Sequence, residues 1–296
     1  MFVTVNGARL YFDVEGAGLV PDGTRMRAKP TVVLLHGGPG FDHSIYKPAF
    51  SALSDAAQLI YVDLRGSGRS GGDHPQEWNL AQWGDDVKGL CDVLGIKRPI
   101  VLGTSFGGFV AQAYATRHPA HPAALVLAST AARIDFDVVF EAFERLGGTE
   151  ARQVAEAYWR TPGDSTRVRY FAVCLPLYRA KPPQDDAMRQ RAIVRNAVAI
   201  HFNGPRNEHG RMDFRPLLRT IRCPVLVMAG DRDPITPMAF SEEITAHLPP
   251  HLVRLERFTG CGHGVQADDP VRAFAVLRDF IREVHASEAA AGGVVA

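Results

Sequence analysis

The stretch Gly103-Thr104-Ser105-Phe106-Gly107-Gly108 sets a serine hydroxyl between two glycines, each two positions away, directly after the apolar run Ile100-Val101-Leu102. A helix-like segment, residues 109–117, comes next. Strand, G-x-S-x-G and helix in that order make a turn so sharp that the serine sits in a strained conformation, and bulk two residues before or after it would collide. Gly103 and Gly107 meet that demand. The chemistry such a serine serves is acyl transfer; the plainer reading of the same string is a glycine-rich helix start. A serine hydroxyl is a poor nucleophile at neutral pH, so the chemical reading also requires a base and an acid to orient it.

In strand-turn-helix serine enzymes the acid and then the histidine follow the nucleophile along the chain. Of the eleven histidines, His247, His251, His263 and His285 lie after a suitable acid in the second half. His247 and His251 flank Leu248-Pro249-Pro250, a helix-to-strand connection, and His285 falls in the terminal helix. His263, in Gly260-Cys261-Gly262-His263-Gly264, occupies a loop directly after a core strand and is the expected base. For the acid, the strand at 225–229 runs into Gly230-Asp231-Arg232-Asp233-Pro234, which offers Asp231 and Asp233 without separating them. An Asx-type turn is the ordinary alternative for Asp231. A tetrahedral oxyanion needs two donors: the N–H of Phe106, and one from the loop after the third strand, His36-Gly37-Gly38-Pro39-Gly40, where the N–H of Gly38 is expected to serve. Cys261, two residues before His263, carries the further expectation that bulky thiol reagents inhibit.

Elements that would position these groups recur along the chain. Strand-like runs lie at 2–5, 10–14, 31–35, 59–63, 100–103, 124–128, 225–229 and 252–258, with helix-like segments at 80–94, 109–117 and 271–284. The order, two strands and then alternating strand and helix, predicts an α/β fold: a mostly parallel eight-stranded sheet with an antiparallel start and helices on both faces. Residues 129–222 break the rhythm, being far longer than one crossover needs. Segments 136–146, 151–159, 168–178 and 188–202 carry apolar residues at helical spacing there, interrupted at Gly147-Gly148, Thr161-Pro162-Gly163 and Lys181-Pro182-Pro183. The expected organisation is a core of residues 1–130 and 223–286, a helical cap of 131–222 over the carboxyl edge of the sheet, and a flexible tail at 287–296.

Together these residues resemble the α/β-hydrolase superfamily, and His36-Gly37-Gly38-Pro39-Gly40 narrows the resemblance to the proline iminopeptidase branch, which includes tricorn-interacting aminopeptidases and related amidases. Asp63-Leu64-Arg65-Gly66-Ser67-Gly68-Arg69-Ser70, Gly230 to Asp233 and Gly262-His263 also match, so the resemblance covers nearly the whole chain. It implies that Asp233 is the triad acid. Aminopeptidases of this branch grip a free amino terminus with carboxylates. Asn203-Gly204-Pro205-Arg206-Asn207-Glu208 resembles one such stretch with a residue inserted, which makes Glu208 a candidate amine anchor against the plainer reading of a solvated loop carboxylate. The second anchor, a glutamate after the triad aspartate, is replaced by Pro234.

The resemblance therefore implies a serine hydrolase working through an acyl-enzyme on a small amide or a peptide with a free N-terminus. An esterase or lactonase with the same triad is the alternative, and a non-catalytic binding protein on the same fold the remote one. With 33 basic and 32 acidic residues spread along the chain, neither nucleic acid nor a membrane is an expected partner; a small molecule or short peptide is. Gly66-Ser67-Gly68-Arg69-Ser70-Gly71 fits a dinucleotide-binding pattern, but no helix opens after it. His36, Asp42 and His43 match no zinc spacing, and no metal or other cofactor is expected. Four cysteines without paired spacing, and neither a leader-like start nor a long apolar run, suit a cytoplasmic protein. The cap's aromatic residues, from Phe136 to Tyr178, are expected mainly to pack its own core, with one or two facing substrate.

Overall fold

Successive strand residues point to opposite faces, so a run that is apolar at every position belongs in a sheet covered on both sides. Val32-Val33-Leu34-Leu35 is such a run, and all four are fully buried. The computed structural model describes residues 1–181 and 187–291. Its strands are β1 (Phe2–Val5), β2 (Ala8–Glu15), β3 (Leu19–Asp22), β4 (Arg25–Ala28), β5 (Thr31–Leu35), β6 (Gln58–Val62), β7 (Ile100–Thr104), β8 (Ala124–Ala128), β9 (Val225–Gly230) and β10 (Val253–Phe258). Eight of them form one sheet in the order β1-β2-β6-β5-β7-β8-β9-β10. β2 runs antiparallel to β1 and β6, and every other neighbouring pair is parallel. Strands β3 and β4 form a separate hairpin, invisible in the sequence pattern because β4 is exposed at all four positions and has no apolar face to betray it.

The helices are α1 (Leu80–Val93), α2 (Phe106–Arg117), α3 (Phe136–Arg160), α4 (Asp164–Val173), α5 (Ala187–Arg191), α6 (Asn196–Phe202), α7 (Glu208–Arg211), α8 (Arg215–Leu218), α9 (Met238–His247), α10 (Val265–Asp268) and α11 (Pro270–Ala291). They divide by face. Val33 and Leu35 of β5 share a core with Trp83, Val87 and Leu90 of α1 and with Phe106 and Val110 of α2. Val32 and Leu34 point the other way, to Tyr46, Phe50, and Phe274, Leu277 and Ile281 of α11. At about 1.5–3 kcal/mol per buried large side chain, these two layers hold the sheet between them.

The chain leaves the sheet at Ala128 and returns at Val225, and α3 to α8 lie between. The apolar residues of this insertion, such as Phe140, Tyr158, Tyr170 and Phe202, run continuously into the α1–α2 core. Residues 136–146 and 151–159 are merged into α3 across a break at Gly148, whose φ of 74° departs from the helix. The helix expected at 188–202 is interrupted at 192–195. Ile193 N–H there donates to Asp42 and Arg195 N–H to the Gly40 carbonyl, at 3.3 and 2.7 Å, so the backbone bonds to core loops instead of to itself. Pro182 and Pro183 lie outside the described residues, as do 292–296. The expected tail needs correction at its start. Residues 287–291 continue α11, where Glu288 takes both ends of the Arg98 guanidinium at 2.8 and 2.7 Å.

The tightest packing surrounds the turn from β7 to α2. A Cβ at Gly107 would stand 1.9 Å from the Leu35 carbonyl oxygen, and one at Gly103 would stand 2.1 Å from the Gly107 carbonyl oxygen. Helix α2 begins at Phe106, three residues before the apolar pattern suggested, because the turn at Ser105 feeds straight into it. Gly107→Ala is expected to cost about 3 kcal/mol or more, against a typical total of about 5–15, through overpacking against a carbonyl that cannot yield. A lower denaturant midpoint or loss of soluble protein would show it; an unchanged midpoint would contradict this packing.

Candidate active site

Ser105 has φ 55° and ψ −120°, a conformation costly for a residue with a side chain. Three hydrogen bonds hold it there. Its N–H donates to the Ala128 carbonyl at 2.9 Å, and its own carbonyl accepts from Gly108 N–H at 2.8 Å and from the Thr130 hydroxyl at 2.9 Å. The strain is thus sustained by the end of the neighbouring strand β8.

Of the two candidate acids, the structure brings Asp233 to His263 and leaves Asp231 outside. His263 Nδ1 lies 2.8 Å from Asp233 Oδ2. Asp233 is fully buried and also accepts from the N–H groups of Ile235 and Thr236 and from the Thr236 hydroxyl, at 2.9, 2.8 and 2.7 Å. Burial pushes its carboxyl up, but the His263 ring and these donors outweigh it and hold the group below the ordinary carboxylate value. Asp231 is exposed and caps the Gly260 N–H at 2.8 Å, the turn role its glycine neighbour suggested. Thr236, which no motif announced, sits 2.7 Å from Asp233 and 3.2 Å from His263 Nδ1 and so braces both.

Ser105 and His263 line one cavity of about 1130 Å³ beneath the insertion, large enough for a small organic substrate. The hydrogen bond formed within this group is Asp233–His263; none joins Ser105 Oγ to His263 among the described residues. Such contacts commonly tighten only when substrate is bound. Gly38 lines the same cavity, and a Cβ on its neighbour Gly37 would lie 3.5 Å from Ser105 Cβ, so the loop after β5 runs alongside the serine. Phe106 opens α2, where first-turn N–H groups have no acceptor within the helix. Its ring is occupied by Trp83 and Phe202, with centroids at 4.9 and 5.1 Å, leaving the backbone as its contribution to the turn.

His36 fastens this loop. Leu64 N–H donates to its Nε2 at 3.1 Å, which puts the ring proton on Nδ1, where it reaches the Gly37 carbonyl at 2.8 Å. Burial lowers the His36 pKa and keeps the ring neutral, as this pattern requires. The ligand-type atoms of Asp42, His43 and Asp63 converge within 4.8 Å, so Asp63 stands where the sequence grouping had His36. Their lone pairs are engaged. Asp63 accepts from the N–H and Nδ1 of His43 and from Arg69 N–H, at 2.9, 2.6 and 2.8 Å. Asp42 accepts from Ser44 and the Arg69 guanidinium, at 2.6 and 2.7 Å. The glycine-rich stretch 66–71 closes on itself through Gly66 N–H and the Gly71 carbonyl at 2.8 Å, a tight turn rather than a phosphate cradle.

The insertion helps to hold His263. His263 N–H donates to the Tyr178 carbonyl at 2.7 Å, and the two rings meet edge to face at 5.0 Å. Buried Asp268 ties the same strap to the base loop, accepting from Gly262 N–H, Ala180 N–H and the Arg179 guanidinium at 2.8, 3.0 and 3.1 Å.

Two expectations fail on geometry. Glu208 does not reach the cavity; its carboxylate accepts the N–H of Leu80 at 2.9 Å and caps α1, a long-range partner that the local sequence could not reveal. Burial raises its pKa. Cys261 packs among Phe258, Val265 and Phe274 on the far face of the sheet and lies outside the cavity lining. Next to Glu208, His209 does line the cavity, ringed by Phe109, Phe136, Trp159 and Phe202.

A family model described as the alpha/beta hydrolase fold matches residues 30–270. A protein named "Putative carbamate hydrolase RutD" from Caulobacter sp. is 28% identical over 283 residues, covering 93% of this chain and 96% of its own. Among solved structures, a proline iminopeptidase from Mycobacterium smegmatis superposes with a TM-score of 0.76 at 21% identity, over 97% of this chain and 99% of that one. A thermophilic esterase from Thermogutta terrifontis gives 0.67 at 26% identity, over 96% and 98%. No helix among the described residues is long and apolar enough to cross a membrane.

Burial pushes His209 down to about 3. Between that value and about 6.5, the unfolded chain binds a proton that the folded chain refuses, so stability falls as pH drops through this window. His209→Phe is expected to remove roughly 2–3 kcal/mol of the loss between pH 6.5 and 4.5, seen as a flatter dependence of Tm on pH. A parallel, unshifted profile would show that His209 is protonated in the folded state. Bulky maleimides are expected to leave the native protein's activity unchanged, because the Cys261 thiol is buried and raised in pKa; rapid inactivation that Cys261→Ala abolishes would reverse that conclusion.

Proposed function

The chain belongs to the alpha/beta hydrolase fold family, and from that premise we propose that it is a serine hydrolase acting through an acyl-enzyme on an ester or a similarly activated acyl compound. The observation that carries this reading is the Asp233–His263 hydrogen bond, built into the same cavity as a serine on a strained turn. In the proposed reaction Ser105 Oγ attacks the acyl carbonyl as His263 Nε2 takes its proton, while Asp233 fixes the proton on Nδ1 and stabilises the imidazolium. Negative charge on the former carbonyl oxygen is received by the N–H groups of Phe106 and Gly38, each worth about 3–4 kcal/mol in comparable sites. His263 then returns the proton to the leaving group. Water enters, loses a proton to the same nitrogen and bonds to the acyl carbon; the acyl–Oγ bond breaks, Ser105 Oγ takes the proton back from His263, and the acid leaves.

The choice of leaving group rests on what the cavity lacks. No Asp or Glu lines it among the described residues; its charged lining is Lys47, Arg167, Arg179 and Arg191. Among the described residues a free ammonium group would therefore meet cations and no carboxylate, and Glu208, the one candidate anchor, is engaged at α1. The names of two of the three relatives, an esterase and a carbamate hydrolase, fit acyl chemistry without a free-amine requirement; that of the third, a proline iminopeptidase, fits the aminopeptidase alternative.

A fluorophosphonate is expected to label the protein, with labelling absent in Ser105→Ala and turnover of an aryl ester lowered at least about 1000-fold in that variant and in Asp233→Asn. An arylamide with a free amino group and its N-acylated analogue are expected to react at rates within about threefold of each other. A preference above tenfold for the free amine would overturn the ester reading, and labelling that survives Ser105→Ala would overturn the assignment of the nucleophile.

A further inference from the structure

The four cations of the cavity lining are not equivalent. Lys47 pairs with Asp13, and Arg179 pairs with Asp268 at 3.1 Å. Arg191 is exposed and bonds the carbonyls of Ser44 and Lys47. Arg167, on α4, is 5% exposed and has no carboxylate within ion-pair distance among the described residues. Its Nε donates to Asn196 Oδ1 at 2.9 Å and its Nη1 to the Tyr158 hydroxyl at 2.8 Å, both neutral partners, and its guanidinium lies 4.5 Å from the Phe171 ring centroid. Hydrogen bonds and a ring face moderate a buried charge but do not cancel it, and buried charges ordinarily have a counter-ion.

The neighbouring groups compound the imbalance. The Tyr158 oxygen accepts from both Arg167 and Asn203 Nδ2, the latter at 2.7 Å, so its own proton is left to donate, and no acceptor for it lies among the described residues. Trp159 Nε1–H is buried beside Tyr170 and makes no hydrogen bond of normal geometry. Tyr158, Trp159 and Arg167 all line the cavity that holds Ser105. Each is at most 5% exposed, so the surplus donors belong to a built interior and not to a solvated rim. A buried cation beside neutral donors, with no carboxylate among the described residues of the lining, is complementary to an anion with several lone pairs, and the surrounding rings suit an organic body.

We propose that the substrate of this hydrolase carries a carboxylate, which Arg167 receives together with Tyr158 and Trp159. This rests on the serine-hydrolase reading and narrows it: the substrate is an acyl ester with a second, ionised carboxyl group. The loss of an Arg–carboxylate contact in a buried site corresponds to about a 10- to 100-fold change in specificity.

The test compares 4-nitrophenyl hydrogen glutarate with its neutral methyl ester at pH 7. The wild-type protein is expected to favour the acid by about tenfold or more in kcat/KM. Arg167→Met should bring the ratio close to one, and Arg167→Lys should keep part of the preference. Arg169→Met, on the exposed side of the same helix, should leave it unchanged. In parallel, glutarate should slow labelling of Ser105 by a neutral fluorophosphonate, and dimethyl glutarate should not. Equal wild-type rates on the two esters, absence of protection by glutarate, or a preference that persists in Arg167→Met would each overturn the proposal. Should Arg167→Met fail to fold, the wild-type ratio and the Lys variant decide alone. Failure of the phosphonate to label wild-type protein at all would instead sink the serine-hydrolase reading beneath it.

Discussion

A main-chain oxygen at the end of β5 occupies the space that a side chain at residue 107 would need, and the site takes its shape from that exclusion. It lets α2 start hard against β5 and β7, which are parallel neighbours in the sheet. The loop continuing β5 carries Gly37 and Gly38, and the turn ending β7 carries Ser105, so adjacency in the sheet becomes adjacency of the proposed oxyanion donor and the proposed nucleophile. The same packing forces the positive φ at Ser105, and the carbonyl of β8 that accepts its N–H keeps the strained turn from relaxing. A strained residue persists only where its surroundings over-determine it, and here two strands do so.

Around this frame the buried charges are arranged as closed accounts. Asp63 and Asp42 share Arg69, Asp86 holds the buried Arg65 through both of its oxygens, and Asp268 gathers two backbone donors and Arg179. Removing one partner of such a group leaves the other buried and uncompensated, which is why they act as fasteners for loops even where they add little net stability. Asp233 belongs to the same category, fixing the proton position on the imidazole of His263, which lines the cavity. Against this background Arg167 stands apart, as a buried cation whose partners are neutral.

What could be read from the chain follows the range of the interactions involved. The elbow at Ser105 was legible because its constraint is local: the glycines, the preceding strand and the following helix are contiguous. His263 was legible by elimination, since only one late histidine follows a core strand in a loop. Asp233 and Asp231 were indistinguishable by pattern, because what separates them is burial and the reach of His263, thirty residues away. Glu208 misled for a related reason: a short motif described its neighbours, while its partner Leu80 lies 128 residues earlier. The eight-stranded sheet was readable from its apolar runs, whereas the exposed β3–β4 hairpin has no such run. Arg167 left no trace in the sequence at all. An arginine on a short helix that carries a second, exposed arginine looks solvated until the fold shows what surrounds it.

The bond from His263 N–H to the carbonyl of residue 178 ends at main-chain atoms on both sides. Main-chain atoms are the same in every residue, and a carbonyl acceptor survives any substitution at position 178. The steric demand falls instead on Gly262, where a Cβ would come within 2.3 Å of that carbonyl oxygen. A side-chain change at position 178 can therefore alter the pocket wall without removing this hold on the His263 backbone. This one bond, unlike the Tyr178–His263 ring contact and the Arg179–Asp268 pair beside it, is indifferent to side chains.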